Sequence, residues 1–196
     1  MRTRAGKRGF TLVEILAAIV IIGLLTALAT PSFIAMMRDR RVARAAAILA
    51  DTYREARARS LARCNAVLVR WTATGNGKGT LETRETLVQP VALGPTRGCN
   101  TADWTAASVD TRAAYNFDFA GSTYELAAIK LVTEGGADTA VGETCFSPDG
   151  RTWVRYVANG PFSQQTGVPH YDVDNKSNGF KRQVFLPPNG VARMGL

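Results

Sequence analysis

The chain has 196 residues, of which 24 are Lys or Arg and 16 are Asp or Glu, so its formal net charge at pH 7 is +8. This length is enough for one domain with a buried core. The single histidine, His170, argues against a His-based catalytic triad or a two-histidine metal site, and no C-x-x-C pair indicates a zinc or redox motif.

The first nine residues form a basic leader. Residues 1–9 contain Arg2, Arg4, Lys7 and Arg8 and no acid. Their removal would subtract four positive charges and lower the net charge from +8 to about +4. A basic start before an apolar segment predicts a cytoplasmic N-terminus and an exported remainder.

An apolar run follows, from Phe10 to Ala29, with Glu14 as its one charged residue. As a helix, these residues span roughly 30 Å at ~1.5 Å per residue, which is the thickness of a bilayer core. Three interpretations compete. The run is a secretory signal peptide with an A-x-A cleavage site at Ala27–Ala29, a plain membrane anchor, or a helix that is retained after a cut on its N-terminal side.

Glu14 separates these interpretations. A carboxylate deep in a membrane costs roughly 2.5–3.5 kcal/mol, and neither a signal peptide nor a simple anchor has a use for it. A cut after Gly9 would place the new α-amine on Phe10, four residues before Glu14 and on the same helix face. When helices stack with an axial offset, the carboxylate of one subunit can pair with the amine of its neighbour and set the axial register.

The segment Lys7–Glu14 resembles the class III signal of type IV pilins and type II secretion pseudopilins. The resemblance implies that a prepilin peptidase cuts after Gly9, that Phe10 is methylated, and that Glu14 serves assembly. It also implies a single-pass protein of the bacterial inner membrane with a periplasmic head. Its N-terminal helix would then pack against sibling minor and major pilins.

Gly23 and Pro31 predict a helix break. Proline removes a backbone donor and clashes with the carbonyl of Ala27, and glycine weakens a helix by about 1 kcal/mol relative to alanine. Two alternatives remain: Pro31 marks the helix boundary where the chain leaves the membrane, and Gly23 allows close packing against a neighbouring helix.

Beyond Pro31 the pattern remains helical to about Arg63. Apolar positions recur at spacings of three and four and predict an amphipathic helix whose stripe packs on a sheet of the same chain: Val42, Ala46, Leu49, Tyr53 and Ala56. Arginines lie between them. We interpret this basic cluster, Arg38 to Arg63, as a solvated helix face rather than a nucleic-acid patch.

Residues 64–196 predict a β-rich head. Strand patterns and turn residues place a hairpin at 67–93, strands at 115–119, 144–147, 151–157, 182–186 and 191–194, and a long surface loop at 158–179. The stretch 124–132 is apolar, and its period favours neither a strand nor a helix. The predicted class is α+β, a long N-terminal helix packed on antiparallel strands. The segments are a cleaved leader (1–9), a transmembrane helix (10–30), its amphipathic continuation (31–63) and the head.

Export would make a disulfide plausible for the three cysteines. Cys99 and Cys145 both lie in turn-rich stretches, which favours them as the pair and leaves Cys64 over. Three free thiols remain the alternative.

Two stretches of the head resemble the GspH/FimT family of minor pilins and pseudopilins: Cys145–Arg151 and Arg182–Gly190. The resemblance implies a two-sheet head and a minor subunit in a tip or priming complex, of either a type IV pilus or a type II secretion pseudopilus. Some FimT-like proteins hold DNA with a C-terminal Gly-Arg-x-Arg stretch. Here the matching place reads Gly-Val-Ala-Arg and lacks the first arginine, so Lys181, Arg182 and Arg193 are the candidate DNA patch.

We identify no catalytic constellation, and we expect neither enzymatic activity nor a cofactor. Asp172, Asp174 and Asn175 offer clustered oxygen atoms of the kind that binds calcium, but the register of an EF-hand loop is missing. We interpret them as a solvated acidic loop and expect no metal site.

Overall fold

A computed structural model describes residues 10–86, 97–100, 104, 109–117, 127–188 and 191–195. The chain divides into two compact units, Met1–Met37 and Arg38–Leu196. The elements, in chain order, are α1 (Leu12–Arg63), β1 (Val67–Gly75), β2 (Lys78–Thr86), α2 (Arg97–Asn100), β3 (Val109–Phe117), β4 (Ala127–Val132), β5 (Asp138–Thr139), β6 (Val141–Phe146), β7 (Thr152–Arg155), β8 (Ser163–Gln164), β9 (His170–Asn175), β10 (Lys181–Phe185) and β11 (Arg193–Gly195). The predicted α+β class, a long N-terminal helix followed by a head of antiparallel strands, is confirmed.

The helix α1 continues through both Gly23 and Pro31. The predicted helix break and the alternative of a helix boundary at Pro31 are therefore both wrong for the single chain. One proline removes one backbone donor, and the hydrogen-bonded turns on either side of it preserve the helix.

In the second unit, one face of α1 shares an apolar core with the inner faces of two sheets. Sheet A has the strand order β3-β2-β1-β6-β7-β8, and sheet B has the order β11-β10-β9-β4-β5. The helix contributes buried residues between Val42 and Ser60, and the stripe predicted from its spacing lies among them. The largest fully buried side chains of this core include Trp71, Tyr171 and Leu49.

The predicted surface loop at 158–179 is wrong. It contains β8 and also β9, which is the central strand of sheet B between β10 and β4. Along β9, Tyr171, Val173 and Asn175 are buried and alternate with His170, Asp172 and Asp174. Only two of the six residues are large and apolar, so the alternation of a strand was hidden by polar side chains.

The first predicted hairpin is confirmed as far as Thr86, and its continuation to Leu93 lies outside the described residues. Asn76 and Gly77 form the two-residue turn, with φ of 53° and 78°. Positive φ at both positions is the backbone of a type I′ turn, which suits the twist of a hairpin. A Cβ at Gly77 would lie 2.3 Å from the Cβ of Ala128, so glycine also allows the turn to approach β4.

Other strand boundaries differ in extent from the predictions. β3 begins at Val109 rather than Tyr115. The ambiguous apolar stretch 124–132 contains β4, and residues 118–126 lie outside the described chain. The strands on either side of the turn at Ser147–Gly150 are present as β6 and β7.

A disulfide joins Cys99 of α2 to Cys145 of β6, with a Cα–Cα distance of 5.9 Å, and Cys64 is an exposed free thiol. This is the pair that the sequence favours, and the alternative of three free thiols is wrong. The bond lies in a second apolar cluster on the outer face of sheet A, beside Trp104 and Trp153. The bond closes a loop across a separation of 46 residues. Because this lowers the conformational entropy of the unfolded chain, the bond stabilises the fold by about 4 kcal/mol.

Two buried tyrosines connect α1 to sheet B. The hydroxyl oxygens of Tyr53 and Tyr171 are 2.8 Å apart in the core. Burial raises the pKa of Tyr53 to about 12 and raises the pKa of Tyr171 well above its ordinary value. Both tyrosines are therefore held neutral by the folded chain.

We expect alkaline pH to destabilise the fold through these tyrosines. An unfolded tyrosine has a pKa near 10, so the unfolded chain loses these protons first. The contribution of Tyr53 is fully present below about pH 10 and is lost towards pH 12, which lowers the free energy of unfolding by up to about 3 kcal/mol. Urea unfolding at a series of pH values measures this. Tyr53→Phe should make the fall shallower, whereas the exposed Tyr115→Phe should not; an equal fall in both variants would contradict the assignment.

Candidate functional site

The N-terminus of α1 is closed by a capping box. Thr11 precedes the first helical residue, and its backbone N–H and its hydroxyl both donate to Glu14 Oε2, at 2.9 and 3.1 Å. In return, the backbone N–H of Glu14 donates to Thr11 Oγ1 at 3.3 Å. Two helix-end donors are satisfied reciprocally, which is the pattern of Thr-x-x-Glu at the start of a helix. This capping role of Glu14 was not predicted from the sequence, although the spacing of Thr11 and Glu14 is the signal for it.

The apolar residues of the first unit are exposed on all sides of the helix. Phe10 is 84% exposed, and every large apolar side chain from Leu12 to Leu28 has more than half of its surface free. Mean hydropathy reaches 2.7 in this part of α1, which is long and apolar enough to cross a membrane. In water this surface would remain unburied, so the helix requires lipid or other helices around it.

Gly23 has no heavy atom within 4 Å of the place where a Cβ would lie. Its small size is therefore not used inside the described chain, and close packing against another helix remains the open interpretation. Near Pro31, the hydroxyls of Thr26 and Thr30 donate to carbonyls one turn earlier, at Ile22 (2.7 Å) and Thr26 (2.6 Å). Such bonds bend helices slightly and compensate for weak positions in membrane helices.

The expected cleavage site lies at the edge of the described chain. Gly9 is outside the described residues, and Phe10 is the first residue described. Phe10 is four residues from Glu14, as the sequence requires for pairing between stacked helices. In the single chain, the Glu14 carboxylate already accepts hydrogen bonds from Thr11.

The three residues of the candidate DNA patch lie at separate positions of sheet B. Lys181 and Arg182 are consecutive residues of β10, so their side chains leave opposite faces of sheet B. Lys181 Nζ lies 2.7 Å from Asp172 Oδ2, while the Arg182 guanidinium lies over the Phe180 ring at 5.0 Å. Arg193 of β11 is paired with Phe185 of β10, and Phe185 lies four residues beyond Lys181 on that strand. Lys181 and Arg182, although neighbours in sequence, therefore do not contribute to one cationic surface.

Two of the three candidate oxygen ligands on β9, Asp172 and Asn175, are bonded by other groups of the protein. Burial alone would raise the pKa of Asp172, but hydrogen bonds from Lys181 and Gln183 outweigh it and hold the pKa below its ordinary value. Asn175 is buried and donates its amide to Asp39. In the described part of the chain, no group of three or more His, Cys, Asp or Glu residues could hold a metal ion.

Sequence reasoning also missed two buried carboxylates of the head, Glu143 and Glu85. Glu143 lies between Arg70 of β1 and Arg155 of β7, directly opposite each of them across the strands, and both arginines bond its carboxylate. Glu85 has three arginine partners, at 3.0 Å from Arg112 of β3 and at 3.5 and 3.8 Å from two residues of α1, Arg63 and Arg59. Each glutamate is 2% exposed. No local sequence signal could have identified these clusters, because strand pairing creates them.

Comparison with known proteins adds one family match. Residues 4–30 match the family described as the prokaryotic N-terminal methylation motif. No curated protein and no solved structure matches the chain significantly. The matched residues include the expected cut at Gly9, the capping box and most of the exposed apolar helix. The N-terminal segment of this chain thus matches the prokaryotic N-terminal methylation motif, which is typical of type IV pilin-like proteins.

Proposed function

We propose that this protein is a minor pilin or pseudopilin of the GspH/FimT type. It would join a tip or priming complex that starts assembly of a type IV pilus or a type II secretion pseudopilus. One observation carries the proposal: a helix with exposed apolar residues on all sides begins at a Thr11–Glu14 capping box inside the methylation motif. Its role is structural rather than enzymatic.

The exposed apolar surface of the helix needs a cover both before and after assembly. Before assembly, a bilayer covers its apolar surface, and in a filament the helices of sibling minor and major pilins would replace the lipid. Glu14 is the polar exception. Its carboxylate would exchange the Thr11 donors for the N-methylated amine on Phe10 of a neighbouring subunit, a charged partner that forms a stronger bond.

The head supports an exported location. The disulfide between Cys99 and Cys145 is typical of an oxidising compartment such as the periplasm. We therefore place the head in the periplasm and the precursor's N-terminus in the cytoplasm, where prepilin peptidase acts on the basic leader. DNA capture is not proposed, because Lys181 and Arg182 lie on opposite faces of sheet B and Lys181 is paired with Asp172.

Mass spectrometry of the mature N-terminus tests this proposal. The protein is purified from the membranes of cells that contain prepilin peptidase, and the expected chain starts at N-methylated Phe10. Gly9→Leu should remain uncut because a bulky side chain occupies the cleavage position, while Gly9→Ala serves as the matched small-residue control. A mature chain that starts at Thr30 would identify an ordinary signal peptide and contradict the proposal.

The assignment as a minor subunit has its own measurement. Purified filaments analysed by quantitative mass spectrometry should contain this chain far below one copy per major subunit. Sibling pilins should be recovered with it after detergent extraction. Equal abundance with the main filament protein would contradict the minor role while leaving the pilin-like role intact.

A further inference from the structure

We propose that the second unit holds one anionic phospholipid of the membrane surface in a groove between α1 and β3, here called the basic groove. This inference rests on the proposed membrane-held state of the chain. The basic groove has a volume of about 200 Å³ and is lined by Arg41, Arg44, Ala45, Ile48, Tyr115, Asn116 and Phe117.

The shape and chemistry of the basic groove suit an amphipathic ligand. Two cations, Arg41 and Arg44, come from one turn of α1, while Ala45, Ile48 and the aromatic rings of β3 provide an apolar wall. Tyr115 is 40% exposed on β3, an edge strand of sheet A. Arginine bonds a phosphate through a planar fork of donors, and an apolar wall beside it can receive part of an acyl chain.

The charge around the groove is positive because arginines outnumber acids in this part of α1. Residues 38–44 contain four arginines and one acid, Asp39. Its Oδ1 accepts hydrogen bonds from the amides of Asn175 and Asn178, both at 2.9 Å. Arg44 is exposed and forms no ion pair with any described residue. Neutral amides bond Asp39, and Arg44 lacks an ion pair among the described residues, so an external anion is favoured at Arg44.

The chain position of the cluster points to lipid as the source of that anion. Residues 10–37 contain no charged residue except Glu14, and as a helix these 28 residues span about 42 Å, close to the thickness of a bilayer with its headgroups. Arg41 and Arg44 follow Met37 by four and seven residues. Even a fully extended chain keeps them within about 14–25 Å of the membrane-length segment. Lipid phosphates are the anions concentrated at the end of the membrane-length segment.

The resulting contact would hold the subunit at a defined depth before assembly. Once the leader is removed, its four basic residues no longer anchor the cytoplasmic side. The basic groove would then be the main electrostatic attachment to the bilayer. An acidic peptide or a nucleic acid would satisfy the arginines but would leave the apolar wall of Ile48 and Tyr115 unused.

Native mass spectrometry of the full-length chain tests the site. The protein is reconstituted in nanodiscs of phosphatidylglycerol and phosphatidylcholine and released, and the lipids that remain bound are counted. We expect phosphatidylglycerol to be preferred over phosphatidylcholine by about 10- to 30-fold, because each of the two arginines contributes about 1 kcal/mol at an anionic surface. The double variant Arg41→Gln, Arg44→Gln should leave a preference for phosphatidylglycerol of no more than about twofold. Tyr115→Ser should weaken lipid retention without a change of charge.

Arg40→Gln is the matched control for Arg44→Gln alone, since each removes one positive charge from the same cluster but Arg40 lies outside the groove. It should keep the preference within about twofold of the original. An equal loss in Arg40→Gln, or displacement of the lipid by glycerol phosphate or by a short DNA duplex, would overturn the proposal. A chain that leaves vesicles of pure phosphatidylcholine would overturn the membrane-held function and this site together. A chain that stays in them without the preference would overturn this site alone.

Discussion

Glu14→Gln is expected to lower incorporation of the subunit into filaments by at least about tenfold, while α1 stays folded. Glutamine can replace glutamate in the capping box with Thr11, so the local helix start is preserved. The charge that would meet the amine of a neighbouring subunit is lost, and an unpaired buried amine costs more than the 1.4 kcal/mol that corresponds to tenfold. Immunoblots of sheared filaments, normalised to the membrane fraction, measure incorporation.

Thr11→Val separates the two roles of Glu14. It removes the hydroxyl that Glu14 and the helix start share, but it keeps the carboxylate and the Thr11 backbone donor. Loss of a threonine cap costs about 0.5–2 kcal/mol of helix stability, which a membrane-held helix of this length tolerates. Incorporation should therefore remain within about twofold of the original. Normal assembly of Glu14→Gln together with failed assembly of Thr11→Val would mean that Glu14 acts only as a helix cap.

Glu143→Gln is expected to lower the free energy of unfolding by about 3–5 kcal/mol. The glutamate is 2% exposed and lies between Arg70 and Arg155, so glutamine leaves two guanidinium groups without their anion. For a folded unit of this size, the melting temperature should fall by about 6–20 °C. Urea unfolding of the full chain in detergent, followed by tryptophan fluorescence, measures the change.

The matched control is Glu82→Gln on β2. Its carboxylate also pairs with an arginine, Arg84, at 2.8 Å, but its side chain is 32% exposed. A solvated pair contributes less than about 1 kcal/mol, so this variant should unfold almost as the original does. If both variants lost the same small amount, the buried cluster around Glu143 would not stabilise the head in the way its geometry indicates.

The features near the N-terminus could be predicted because their signals are local. The apolar run, Glu14 and the leader lie within thirty consecutive residues, and helix geometry alone places Phe10 and Glu14 on one face. The hairpin turn at Asn76 and Gly77 was equally readable, since two residues with positive φ are a local requirement. The favoured disulfide lies between two turn-rich stretches, and the fold brings their cysteines within reach of each other.

By itself, the sequence determined the long apolar helix, the match to the methylation motif and the α+β class, because each depends on residues at most one or two turns apart or on a repeated spacing. Tertiary structure decided everything that needs two strands in register. It made β9 a central strand despite its polar residues and placed Glu143 between Arg70 and Arg155. It also divided Lys181 from Arg182, since strand neighbours face opposite sides of a sheet. The physical reason is that strand partners are chosen by burial across the whole head, a choice that no local stretch of sequence encodes.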